Sequence, residues 1–156
     1  MPATPFHRIL TAWDASPAAH TALSIAMNIA DGNGTVIALA VLTPPQHTET
    51  GGETSRDVTS QQQWLQTQFR EALGTATSHG TRVRLEWSES VDIGKQLLEC
   101  AALHGCDLIV IGRHGEDSRL RTSGIGPVAH EVCEGSDLPV LLVDATRSPR
   151  NSLAAP

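Results

Sequence analysis

The sequence predicts an α/β fold in which a parallel, doubly wound sheet carries helices on both faces. Five short apolar segments alternate with four segments of helical periodicity, which gives the order β-α-β-α-β-α-β-α-β. Most of the apolar segments are uninterrupted, as is typical of parallel strands buried on both faces and joined by helical crossovers. At 156 residues the chain has room for one such domain. We expect the domain to span residues 1–145 and residues 146–156 to form a flexible C-terminal tail.

The first strand and the first helix are separated by a polar turn. The apolar run Ile9–Trp13 stops at Asp14. Ser16 and Pro17 then indicate a helix start, because serine can cap the free N–H groups and proline at the first helical position loses no hydrogen bond. Alanine and isoleucine residues follow at helical spacing until the polar residues that begin at Asp31.

A second buried strand is predicted over Val36–Leu42, which two prolines terminate. Residues 46–57 are polar and without period, so they predict a mobile loop. The amphipathic stripe from Leu65 to Ala76 predicts the second helix. Val83–Trp87 alternates apolar and polar residues, which indicates a strand with one wetter face at a sheet edge.

The second half of the chain repeats the alternation. A helix is predicted from near Ile93 to near His104, followed by the fully apolar strand Leu108–Ile111. A glycine-rich loop then leads to a helix that begins near Pro127, and the last strand is predicted over Leu138–Val143.

Composition excludes several classes of function. The formal charge of −6 argues against nucleic-acid binding, which needs clustered basic residues. The odd set of Cys100, Cys106 and Cys133 lacks the CxxC spacing of zinc sites and predicts no disulfide framework, which fits a reducing cytoplasm. No apolar stretch approaches the roughly 20 residues that cross a bilayer. We therefore expect a soluble cytoplasmic protein with no membrane partner.

Parallel sheets of this kind bind ligands beyond the carboxyl ends of their strands. This rule directs attention to Asp14, to Val41 and to the glycines after Ile111. Glycines in the loop Gly112–Val128 let backbone N–H groups approach an anion, and the following helix adds its positive end. The alternatives are a flexible connection whose glycines satisfy turn geometry, and for Asp14 a turn residue before the Ser16 cap.

Four segments in order resemble the successive signatures of the universal stress protein family. They are Ile9–Ser16, Asp107–Gly115, Gly126–Val132 and Leu138–Val143. The resemblance covers nearly the whole chain and implies the strand order 3-2-1-4-5.

The ATP-binding branch of that family carries Gly-x-x-Gly, nine residues, then Gly followed by Ser or Thr. Gly112 and Gly115 match the first half, but ten residues precede Gly126, and Pro127 replaces the hydroxyl residue and lacks an N–H donor. Acidic and basic residues also share this loop: Glu116 and Asp117, then Arg119 and Arg121.

The resemblance implies an adenine-nucleotide site. Asp14 would contact the nucleoside, the backbone at Ala12 and Val41 would bracket adenine, and Gly112–Ser118 with Pro127–Ala129 would face the phosphates. The residues expected at the site are Ala12, Trp13, Asp14, Val41, Gly112, Arg113, His114, Gly115, Gly126, Pro127, Val128 and Ala129.

Two functions follow from the resemblance. The first is a stress-response regulatory protein that binds ATP, with or without Mg²⁺, or a related adenine nucleotide, and hydrolyses it little or not at all. The second is a homodimeric interaction module that has lost ATP binding and pairs through Leu138–Val143, whose exposed edge a second copy would cover. An ATP-using enzyme would need a catalytic lysine or acid that the sequence does not offer.

Other motifs are weaker. Gly124-x-Gly126-x-x-Ala129 spells a dinucleotide fingerprint, but a polar loop separates it from its strand. No Gly-Lys-Ser/Thr is present. The pairs Cys100/His104 and His130/Cys133 have helical spacing, but two ligands do not close a zinc site, so we expect no metal site.

Overall fold

The described part of the chain alternates strands and helices in the predicted order. A computed structural model describes residues 6–30, 32–44, 58–75, 80–114 and 124–145. The elements are β1 (Arg8–Ala12), α1 (Pro17–Ile29), β2 (Thr35–Leu42), α2 (Val58–Thr75), β3 (Arg82–Glu89), α3 (Ile93–Leu103), β4 (Leu108–Gly112), α4 (Pro127–Gly135) and β5 (Val140–Val143). The predicted mobile loop over residues 46–57 and the predicted tail over residues 146–156 lie outside the described residues.

The five strands form one parallel sheet in the order β3-β2-β1-β4-β5. This confirms the predicted fold class and the strand order 3-2-1-4-5. It also confirms that β3 lies at an edge. The chain reverses its direction of progress across the sheet at β1, which pairs with β2 on one side and β4 on the other. The carboxyl ends of these three strands therefore form the topological switch point at which such sheets bind ligands.

The core lies in two layers, one on each face of the sheet. Ile9 and Leu10 of β1 are both fully buried, yet they belong to different layers because successive strand residues point to opposite faces. Helices α1 and α2 cover the face of Ile9, and α3 and α4 cover the face of Leu10. This double burial explains why β1, β2 and β4 read as unbroken apolar runs.

The helix starts depend on local sequence. The Ser16 hydroxyl accepts a hydrogen bond from the Ala19 N–H at 3.1 Å, with Pro17 as the first helical residue, so the predicted cap is confirmed. Asp92 caps α3 in the same way by accepting from the Lys95 N–H at 3.1 Å.

No helix in the part of the chain that the structure describes has the length and apolar character needed to span a membrane.

The last strand is shorter than predicted. It begins at Val140 rather than Leu138, because the Ser136 hydroxyl bonds both the N–H and the C=O of Leu138 at 2.9 Å and holds that residue in a turn. Pro139 has no N–H to donate, although its carbonyl accepts from the Ile109 N–H at 3.0 Å.

Candidate functional site

An open backbone edge lies beyond the end of β1. The Trp13 N–H donates to the Leu39 carbonyl at 2.8 Å, and within the described residues this is the last hydrogen bond between this segment and β2. The strand β2 continues to Leu42. Since alternate residues of a strand direct their backbone groups to the same side, the N–H and C=O of Val41 face the space beyond Trp13. One donor and one acceptor are thus presented side by side, with Ala12 at the near end of the gap.

Asp14 stands at the mouth of this gap and also forms the turn into α1. Its Oδ1 accepts a hydrogen bond from the Ser16 N–H at 2.9 Å. The side chain is half-buried, and its second oxygen accepts no hydrogen bond from the described residues. The turn role and a ligand role are therefore compatible, because each uses a different oxygen.

The residue after Asp14 has an unusual backbone conformation. Ala15 has φ of +62°, and it is the only residue other than glycine with positive φ in the described ranges. A side chain in this left-handed region costs roughly 1–2 kcal/mol. The turn that presents Asp14 is therefore held by its surroundings rather than by the preference of Ala15.

The Trp13 side chain belongs to the core and not to the open edge. It is 2% exposed, its Nε1 donates to the Leu65 carbonyl at 3.0 Å, and the rings of His20 and Phe69 approach it edge-on at 4.9 and 5.4 Å. Only the backbone of Trp13 borders the gap.

Gly112 ends β4 where α1 crosses closely. A Cβ atom at Gly112 would lie 2.7 Å from the Cβ of Ala18, which is far inside van der Waals contact. This glycine is needed for packing whatever else it does. Gly115, which the sequence also placed at the site, lies outside the described residues, as do Glu116, Asp117, Arg119 and Arg121.

Arg113 joins the end of β4 to the start of α4. Its N–H donates to the Val143 carbonyl at 2.8 Å, and its own carbonyl accepts from the Gly126 N–H at 2.7 Å. A Cβ at Gly126 would lie 3.2 Å from the Arg113 oxygen and 3.5 Å from the Cα of His114. The chain therefore leaves β4 and returns to it at a point where only glycine fits easily.

The N-terminus of α4 carries little side-chain capping. Its cap residue is Gly126, which has no side chain to accept from the first turn, and its first residue is Pro127, which has no N–H. The N–H groups of Val128 and Ala129 have no acceptor within the helix. Because α4 follows β4, its positive end lies at the same edge of the sheet as Asp14 and Val41.

Asp144 is a residue that the sequence interpretation did not include among the residues of the adenine-nucleotide site. The Arg113 Nε lies 2.9 Å from the Asp144 Oδ1, an ion-pair distance, although the N–H is not directed at that oxygen as a hydrogen bond requires. Asp144 directly follows β5, the neighbour of β4 in the sheet. That position is the signal that could have found it, since charged residues one step past adjacent parallel strands lie at one edge.

A pair of carboxylates joins α3 to α4. A hydrogen bond with the Asp92 side chain is the main cause that raises the pKa of Glu131, and desolvation and the charge of Asp92 act in the same direction. Glu131 reaches Asp92 over Gly94, where any Cβ would collide with the Glu131 side chain. Glycine at this position therefore permits the contact.

Two of the three cysteine thiols are buried. Burial is the main cause that raises the pKa of Cys100 and of Cys106 to about 11, whereas Cys133 is exposed. Nowhere in the described ranges do three or more His, Cys, Asp or Glu side chains come together as a metal ion would require.

The family model of universal stress proteins matches residues 5–144. The chain belongs to the universal stress protein family. This confirms the resemblance seen in the sequence, and the universal stress protein fold accounts for the order of all five strands. Among curated proteins, no sequence matches closely enough to be counted as a relative.

Solved structures share this fold at low sequence identity. A universal stress protein family member from Burkholderia pseudomallei is 23% identical, with 92% of this chain and 100% of that chain covered and a TM-score of 0.69. A universal stress protein in complex with cAMP is 19% identical, with 90% and 98% covered and a TM-score of 0.60. An Arabidopsis thaliana family protein with AMP bound is 14% identical, with 90% and 92% covered and a TM-score of 0.62.

Proposed function

We propose that this universal stress protein is a regulatory protein that binds an adenine nucleotide, ATP or a related one, at the carboxyl ends of β1, β2 and β4. The observation that carries the proposal is the open backbone edge of Val41 beside Asp14. The ligand would act by changing conformation or assembly, with little or no hydrolysis.

The Val41 edge suits the base. A strand N–H beside a C=O matches the Watson–Crick edge of adenine, whose N1 accepts a hydrogen bond and whose amino group donates one. The gap opens between Trp13 and β2, where the sheet gives a flat base the plane in which a further strand would have lain. Backbone groups in a buried sheet are preorganised, which favours binding at little cost in ordering.

Asp14 and α4 suit the remainder of the ligand. The free oxygen of Asp14 can accept a ribose hydroxyl, since its partner oxygen holds the Ser16 N–H. The N–H groups of Val128 and Ala129, which have no acceptor within the helix, can donate to a phosphate at the positive end of α4. Family members with cAMP and AMP bound give independent support for an adenine nucleotide as the ligand.

A binding rather than catalytic role agrees with the groups at this edge. The Ser16 hydroxyl, the nearest in sequence to Asp14, is buried and committed to the Ala19 N–H. Away from this edge, the Cys100 and Cys106 thiols are held protonated, because burial raises the pKa of each to about 11.

Calorimetric titration of the full chain with AMP, ADP and ATP, each with and without Mg²⁺, tests the proposal. Asp14→Asn is the informative variant, because it keeps an oxygen acceptor for the Ser16 N–H and removes the negative charge. We expect weaker nucleotide binding with an unchanged apo melting temperature. The proposal is wrong if no adenine nucleotide gives heat or a thermal shift at millimolar concentration.

The second candidate is the homodimeric module, and β5 favours it. This strand lies at the sheet edge, pairs with β4 alone among the described strands, and leaves Leu141 38% exposed. A second copy pairing edge to edge would cover both features. Sedimentation of wild type and Leu141→Arg tests this: a dimer that the substitution dissociates supports it, and a monomeric wild type contradicts it.

A further inference from the structure

We infer that Asp144 is a specificity-determining residue that restricts the nucleotide site to ligands with a single phosphate. The inference rests on the proposed function and goes beyond it, because it concerns which adenine nucleotide binds. Its basis is the ion pair between Asp144 and Arg113 at the end of the sheet nearest α4.

Few backbone donors remain at the start of α4. The Gly126 N–H is already used by the Arg113 carbonyl at 2.7 Å, and Pro127 has none. Gly126 also has no side chain to contribute a hydroxyl. Among the described residues at the start of α4, Val128 and Ala129 therefore supply two N–H groups, which match two oxygens of one phosphate.

Within the described part of the chain, Arg113 is the arginine nearest the start of α4, where it could hold a longer phosphate chain. Its backbone touches both Val143 and Gly126, so its side chain starts within reach of the α4 N-terminus. Arginine binds phosphate oxygens through a fork of N–H donors. Here the Nε lies 2.9 Å from the Asp144 Oδ1, so the carboxylate offsets part of the charge of the guanidinium.

The negative charge of the protein also disfavours a longer phosphate chain. AMP carries about two negative charges near neutral pH, and each further phosphate adds at least one. The chain has a formal charge of −6, and Asp144 places one of its carboxylates at this edge. At Arg113, additional phosphates would therefore meet a paired arginine and a nearby carboxylate.

The test compares AMP and ATP binding by calorimetry for the wild type and Asp144→Asn. We expect the wild type to bind AMP about tenfold more tightly than ATP. Asp144→Asn should raise ATP affinity about tenfold and leave AMP affinity within about twofold. Asp137→Asn is the matched control, since it makes the same charge change at an exposed residue at the opposite end of β5.

A double variant shows whether the gain in ATP affinity depends on Arg113. Arg113→Gln combined with Asp144→Asn should lose the ATP gain, because Arg113 is the cation that Asp144→Asn would release. The inference is overturned if the wild type prefers ATP, if Asp144→Asn changes AMP and ATP binding equally, or if Asp137→Asn reproduces its effect. Tight ATP binding would leave the proposed function intact, whereas a chain that binds no nucleotide overturns both.

Discussion

The indole N–H of Trp13 donates a buried hydrogen bond to the carbonyl of Leu65 at 3.0 Å. The end of β1 is thereby fastened to α2, whose Phe69 also packs edge-on against the indole. The end of β1, which borders the open edge of Val41, is thus held in place by α2 on one face of the sheet.

Replacing Trp13 should test this anchor. Trp13→Phe removes the buried hydrogen bond to the Leu65 carbonyl, and the smaller ring leaves a void. We expect a loss of about 2–4 kcal/mol in the free energy of unfolding, measured in urea. Trp64→Phe is the control: Trp64 lies on α2 but is 47% exposed, so the change should cost less than about 0.5 kcal/mol. Equal effects of the two substitutions would contradict the anchor.

Ala15→Gly should stabilise the protein. The left-handed φ of +62° strains alanine but not glycine, and the relief exceeds the added entropy of the unfolded chain. We expect a gain of about 0.5–1 kcal/mol in urea unfolding. Ala102→Gly, on the exposed side of α3, makes the same chemical change in helical backbone and should cost about 1 kcal/mol. A loss of stability in both variants would show that Ala15 is unstrained.

Thr11 of β1 carries a buried hydroxyl without a hydrogen-bond partner in the described structure. Thr11→Val keeps the shape and removes the cost of burying that oxygen, so we expect a gain of about 1 kcal/mol in the free energy of unfolding. Thr81→Val is the matched control, because the Thr81 hydroxyl is also buried but donates to the Met27 carbonyl at 3.4 Å. That change should be neutral or destabilising, and a gain at both positions would argue against the hydrogen-bond explanation.

The carboxylate pair of Glu131 and Asp92 predicts a pH dependence. The pKa of Glu131 is raised in the folded state, so its contribution to stability is full below the unfolded pKa and is lost as pH rises through the folded pKa. Glutamine does not ionise, so Glu131→Gln does not lose this stability as pH rises. The urea midpoint of the variant should therefore exceed that of the wild type increasingly as pH rises above the ordinary carboxylate range.

A control on the same helix separates this pair from general charge effects. Glu134→Gln also removes one negative charge from α4, but Glu134 pairs with His130 at 3.2 Å rather than with a carboxylate. Its stability difference from wild type should not grow with pH in the same way. Parallel pH profiles for the two variants would show that Asp92 has no special effect on Glu131.

The sequence was sufficient for features that depend on neighbouring residues. The Ser16 cap, the Pro17 start and the unbroken apolar strands are local, and the structure contains each of them. Family motifs supplied the strand order. The end of the last strand nearest Ser136 was misjudged, because a side-chain hydrogen bond to Leu138 competes there with strand pairing.

Side-chain direction and contacts between distant elements could not be read in this way. Trp13 was expected at the site, but the position of α2 determines that its ring enters the core. The Arg113–Asp144 pair depends on β5 lying beside β4, and the Glu131–Asp92 pair depends on the absence of a side chain at Gly94. Each relationship arises from packing, which composition and periodicity do not encode.

The Gly126 N–H donates to the Arg113 carbonyl at 2.7 Å. This hydrogen bond joins the two ends of the segment between β4 and α4. A segment tied at its base can gain or lose a residue without moving the strand before it or the helix after it. The ten residues between Gly115 and Gly126, one more than the family pattern has, are thus a change that the fold tolerates. In this protein the length and charge of that loop can therefore evolve independently of the open backbone edge at Val41.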